Sequence, residues 1–192
     1  MLQELLMQAL AGGAVNQISK QIGADESTTG NAIQAALPFI IGALARNASN
    51  PQGADSLNNA LTNDHDGSIL DNLGGFLGNP QSVNGAGILG HIFGQKQEAV
   101  ANQISQQSGL GIGQVAQLLI TIAPIIMGLL GRTQRQEGLD SQGLAGYLQG
   151  QQQQVEEPSS PLGGIVSSLL DQDHDGSVVD DIAGLAAKFF SR

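Results

Sequence analysis

The sequence predicts an all-α protein: an internally duplicated helical bundle with kinked central helices and a D-x-D-x-D-G calcium-type loop in each copy. Three observations predict it. Apolar residues recur at helical spacing along both halves. The stretch 16–46 returns at 102–132. An Asp-His-Asp-Gly segment follows that stretch in each half, at 64–67 and again at 173–176.

The repeat is read without a gap. Residues 16–46 and 102–132 share 11 identities in 31 positions, among them Asn-Gln-Ile-Ser at the start, Gly23 and Gly109, Pro38 and Pro124, and the closing Arg46 and Arg132. The loop segments 61–73 and 170–182 align at a larger offset, 109 against 86, so the second copy carries about 23 additional residues ahead of its loop. Those residues are the low-complexity segment at about 143–161, rich in Gln and ending in Pro-Ser-Ser-Pro. Polar repeats of this kind bury little surface, and the segment is expected to be a flexible linker. The two copies are then 1–80, with its loop at 62–73, and 86–192, with its loop at 171–182, together forming one intertwined unit.

Each copy reads as several helices. Leu2, Leu5, Leu6, Ala9 and Leu10 follow helical spacing. Val15, Ile18 and Ile22 form a second amphipathic stretch that Gly23 should end. Asp25 is placed to cap a third helix from Glu26 to about Arg46. Pro38 and Pro124 each remove one backbone donor and should kink their helices. Phe39, Ile40 and Ile41, like Ile125, Ile126 and Met127, leave no polar face, so both kinks should be buried and paired about a pseudo-two-fold axis. In the second copy Asp25-Glu26-Ser27 becomes Gly111-Ile112-Gly113, so the sequence does not fix where the corresponding helix starts.

Composition limits the function. A net charge of -10 with only seven Lys and Arg gives no basic patch for phosphates, so nucleic acid is not an expected partner. Gln17–Ala36 has the outline of a helix-turn-helix, which makes nucleic-acid binding a remote alternative. Residues 26–37 carry no Lys or Arg, however, and a packing hairpin accounts for the same pattern. The absence of cysteine excludes disulfides and thiolate zinc sites. The N-terminal stretch has no basic region before its apolar residues and contains Glu4, so no signal peptide is read, and a cytoplasmic location is the default with non-classical export as the other route. The longest apolar run, Val115–Leu130, falls short of the roughly 20 residues that span a bilayer, so no membrane span is expected. No catalytic pairing of Ser, His and Asp is evident, and the glycine-rich segment 84–90 has no lysine to make a phosphate loop. The chain is not expected to be an enzyme.

The acids instead point to a cation. Eight of the 17 lie within 64–71 and 171–181. In the second loop, Asp171, Asp173 and Asp175 alternate before Gly176, which suits a hard cation that takes six to eight oxygens. Ser177 falls where a backbone carbonyl binds, and Asp180 and Asp181 could close the shell that Ile182 cannot. Calcium is the expected ion, with magnesium as the alternative. In the first loop Thr62 replaces the first Asp; Asp64, Asp66, Ser68 and Asp71 persist, and Asn72 replaces the last. Fewer carboxylates should make this the weaker site, and a turn held by its own side-chain hydrogen bonds would leave the same pattern. His65 and His174 fall at the loop position that points away from an ion, and His91 reads as a partly buried helix residue.

The stretch QISKQIGADESTTGNAIQAALPFIIGALARNA together with NDHDGSILDNLGGFLG resembles the bacterial domain-of-unknown-function 937 family and, more distantly, the YidB-like proteins. The resemblance covers nearly the whole chain outside the Gln-rich insertion. It implies an all-helical bacterial protein with no assigned activity and carries over no catalytic residue. The expected function is a calcium-binding structural or protein-interaction module, working through a protein partner or self-association as a homo-oligomer. The alternative is a calcium-responsive regulator that exposes an apolar surface.

Overall fold

The computed structural model describes residues 2–156, and among them there are helices and no strands. The chain clusters into two compact units, residues 1–151 and 152–192. The account below concerns the first. The second loop, with Asp171, Asp173, Asp175, Ser177, Asp180 and Asp181, lies outside the described residues.

The N-terminal segments form where the apolar spacing places them. Helix α1 (Leu2–Leu10) buries Leu2, Leu6 and Leu10, a stripe that leaves Leu5 at the surface. Helix α2 (Ala14–Ile22) ends at Gly23, whose φ of 68° is left-handed and whose N–H returns to the Ser19 carbonyl. A side chain at Gly23 would carry the steric cost of that region. Helix α3 (Glu26–Asn47) starts at Asp25, whose carboxylate accepts the Thr28 N–H at 2.8 Å. The Ser27 hydroxyl and then Thr28 hold that carboxyl below the ordinary carboxylate range.

Helix α3 runs through Pro38 without a break, and α8 (Ile112–Glu137) runs through Pro124 in the same way. The start of α8 is secured by Gln114 in place of a cap at Gly111. Its side-chain oxygen accepts the Gly111 N–H at 2.9 Å, while its amide donates to the Ile22 and Gly23 carbonyls at the end of α2. One side chain thus closes a helix start and a helix end 91 residues away in sequence.

Between them come α4 (Pro51–Asn63), α5 (Leu73–Gly78), α6 (Gly85–Phe93) and α7 (Gln97–Ser108). Helices α3 and α8 touch each other, but α3 packs chiefly against α7 and α8 chiefly against α6. Helix α8 also meets α1, α2 and α4, so every residue from Thr121 to Gly131 is buried. Both α3 and α8 are long and apolar enough to cross a membrane, and 67% of each apolar window is covered by other parts of the protein. The large apolar side chains left exposed among the described residues are Leu5, Met7 and Ile112.

The Gln-rich segment corrects the linker expectation over the residues described. Residues Ser141–Glu156 form a helix, α9. Leu144, Leu148 and Gln151 fall on one face and are buried. The Gln151 side-chain oxygen accepts the Leu2 N–H at 3.1 Å, filling one of the open donors at the start of α1. Composition hid this helix because a stripe of two leucines is enough once another surface is there to receive it.

Candidate functional site

The first loop leaves α4 at Asn63, turns at Gly67 and continues as a short 3-10 segment, Ser68–Asn72, into α5. Gly67 has a φ of 89°, and a Cβ there would meet both the Gly128 carbonyl and the Arg132 Cβ at 2.9 Å. Both reasons require glycine at this turn. The loop lies along α8, with Ile69 against Gly128, where a Cβ would come within 2.6 Å of the Ile69 side chain.

The candidate ligands divide into two groups. Asp64, Asp66, Ser68 and Asn72 line one cavity of about 480 Å³ together with Phe76 and Val83. Thr62 and Asp71, the other two expected positions, do not line it. Thr62 is still within α4, and its hydroxyl donates to the Asn58 carbonyl at 2.8 Å. The helix takes in the first two residues of the expected loop, Thr62 and Asn63. Asp71 points to α8, where its carboxylate is paired with the Arg132 guanidinium.

Of the side chains that remain at the cavity, Asp66 and Asn72 are already engaged. The Asp66 carboxylate accepts the Ser68 N–H at 2.9 Å and pairs with Arg135 at 3.4 Å. The Ser68 hydrogen bonds, with Arg135 adding to them, hold its carboxyl below the ordinary range. The Asn72 side chain accepts the Gly75 N–H at 3.2 Å and caps α5. Burial pushes the His65 imidazole below its usual value, and the Asp64 charge partly offsets this. Among the described residues no three His, Cys, Asp or Glu side chains are grouped to hold a metal ion. Calcium asks for six or more oxygens, and two of the carboxylates here, Asp66 and Asp71, meet guanidinium groups.

Arg132 and Arg135 are the residues the loop pattern did not anticipate. Arg132 donates to the Gly67 carbonyl at 3.0 Å as well as to Asp71. Arg135 donates to the Asp66 backbone carbonyl as well as to its carboxylate. Lying three residues apart on one face of α8, they clamp the loop at two points. One signal in the sequence pointed to them: in a chain with seven basic residues, Arg132 closes the repeated stretch.

The sequence model of a family described as bacterial protein of unknown function, DUF937, matches residues 4–133. The chain belongs to this family. The match takes in the first loop and Arg132 and ends ahead of α9 and the second loop, so it covers less of the chain than the sequence resemblance implied. No curated protein and no solved structure gives a match.

Proposed function

We propose that this chain is a non-catalytic, calcium-binding structural or interaction module in which the two loops have diverged. The first loop is a joint held by arginines, and the second binds the ion. The observation that carries this reading is the pairing of Asp66 and Asp71 with Arg135 and Arg132, which supplies the first loop with its positive charge from α8. The second loop brings five aspartates, 171, 173, 175, 180 and 181, and the sequence from 136 to 187 contains no Lys or Arg. Five closely spaced carboxylates with no Lys or Arg nearby in the sequence favour a bound cation.

The pattern of helix contacts supports the reading of an internal duplication. α1 on α2 is matched by α6 on α7, and α1 on α8 by α6 on α3. α2 on α3 is matched by α7 on α8, and α2 on α8 by α7 on α3. Each copy thus contributes to the cover of the other's central helix, while the packing of α6 on α8 has no equally extensive counterpart between α1 and α3.

Titration calorimetry of the full chain with calcium tests the proposal. One site is expected, abolished by Asp173→Ala and retained in Asp64→Ala. Loss in Asp64→Ala with retention in Asp173→Ala would reverse the assignment of the loops. No heat in the native chain, together with a melting temperature unmoved by millimolar calcium, would end the metal reading. Bound calcium at about 100 times its dissociation constant stabilises a fold by roughly 2.7 kcal/mol.

A further inference from the structure

A second cavity, of about 470 Å³ and sharing only His65 with the lining of the loop cavity, opens between α3, α4, α6 and α8. Its apolar walls include Leu44, Leu57, Ile92 and Met127, all buried, and the histidines His65 and His91 also line it. In a chain with 17 acids and seven basic residues, none of the residues lining this cavity is Asp, Glu, Lys or Arg.

The polar groups at its mouth differ in what they have left to offer. The Asn47 amide donates to the His91 and Ile92 carbonyls at 3.0 and 3.1 Å, which ties the end of α3 to α6 and fixes that wall. The Asn50 side chain accepts the Gly53 N–H at 2.8 Å. Neither the His65 nor the His91 imidazole has a hydrogen-bond partner among the described residues. A neutral imidazole offers one donor and one acceptor, so two of them beside an apolar floor can orient a guest that is mostly hydrocarbon.

We propose that this cavity is a binding site for one small, uncharged, mainly apolar molecule carrying a hydrogen-bonding group that the two histidines meet. The volume falls in the range of small-molecule sites, and a lining without charged groups disfavours an ionic guest. A wall fixed by the Asn47 bonds makes the site preformed. The proposal does not depend on calcium at either loop.

The test is a fluorescence titration of the full chain with N-phenyl-1-naphthylamine, a neutral aromatic amine. Saturable binding of one probe per chain is expected, at least tenfold weaker in Ala60→Trp, which fills the α4 wall, and unchanged in Ile112→Ala, which removes an exposed apolar residue that does not line the cavity. Should Ala60→Trp fail to fold by circular dichroism, Ser56→Trp at the rim provides the same obstruction. No saturable binding, undiminished binding in the folded tryptophan variant, or binding lost in Ile112→Ala would overturn the proposal.

Discussion

Gly131 of α8 and His65 of the first loop meet backbone to side-chain position, because a Cβ on Gly131 would lie on the His65 carbonyl oxygen, well inside contact distance. The repeat places Ala45 at the corresponding position of α3, so this glycine belongs to the docking of the first loop. In an exposed helix, Gly→Ala stabilises by about 1 kcal/mol through backbone entropy. At Gly131 the obstacle is backbone, which cannot rotate away, and overpacking of this kind costs about 1–3 kcal/mol. Gly131→Ala should therefore destabilise on balance. Gly30→Ala in α3, where nothing lies within 4 Å of the added Cβ, should stabilise by up to about 1 kcal/mol. Urea melts of the two variants give the comparison, and equal shifts of the same sign would show that the loop does not seat on α8.

Removing the Arg132 side chain should cost about 1–2 kcal/mol, because a hydrogen bond from a charged donor to the Gly67 carbonyl is lost along with the ion pair. The pair itself contributes less. The Arg132 and Asp71 side chains are 36% and 73% exposed, and exposed pairs contribute about 0–1 kcal/mol. A double-mutant cycle on Arg132→Ala and Asp71→Ala should therefore give a small coupling that shrinks as salt is added. A coupling well above 1 kcal/mol would mean the carboxylate is the principal anchor.

Leu148→Ala should destabilise the chain by about 2–5 kcal/mol, the range for a leucine removed from a core. Leu148 is fully buried on α9. Gln149→Ala, at an exposed position of the same helix, should change stability by less than about 0.5 kcal/mol. Equal, negligible effects in thermal melts would restore the reading of the Gln-rich segment as a spacer.

His65 sets an acid limit on the loop. Its folded pKa is lowered from an ordinary value of 6.5 by burial. The unfolded chain thus takes up a proton before the folded one does. The contribution to stability is complete above about pH 6.5 and is lost as pH falls through the lowered folded value. Asp66 is also depressed, from 3.8, and its contribution is lost only below that range. Denaturant midpoints measured between pH 7.5 and 5 should fall for the native chain and fall less for His65→Gln. Parallel curves would place the effect on another group.

The residues by themselves determined the local elements. Gly23 ends α2, Asp25 starts α3, and the apolar runs around Pro38 and Pro124 form long, largely buried helices, because capping and hydrophobic periodicity act within a few residues of chain. They also marked the first loop as a special turn, since Gly67 has a left-handed conformation whatever the loop binds. Tertiary structure decided the rest. The aspartates of a D-x-D-G segment carry the same sequence signal whether a cation or a guanidinium neutralises them. Arg132 and Arg135 reach Asp71 and Asp66 across 61 and 69 residues, a distance at which no local pattern operates. The helix of the Gln-rich segment is the same case: Leu144 and Leu148 make too weak a stripe to hold a helix in water, and only a surface built by distant parts of the chain could bury them.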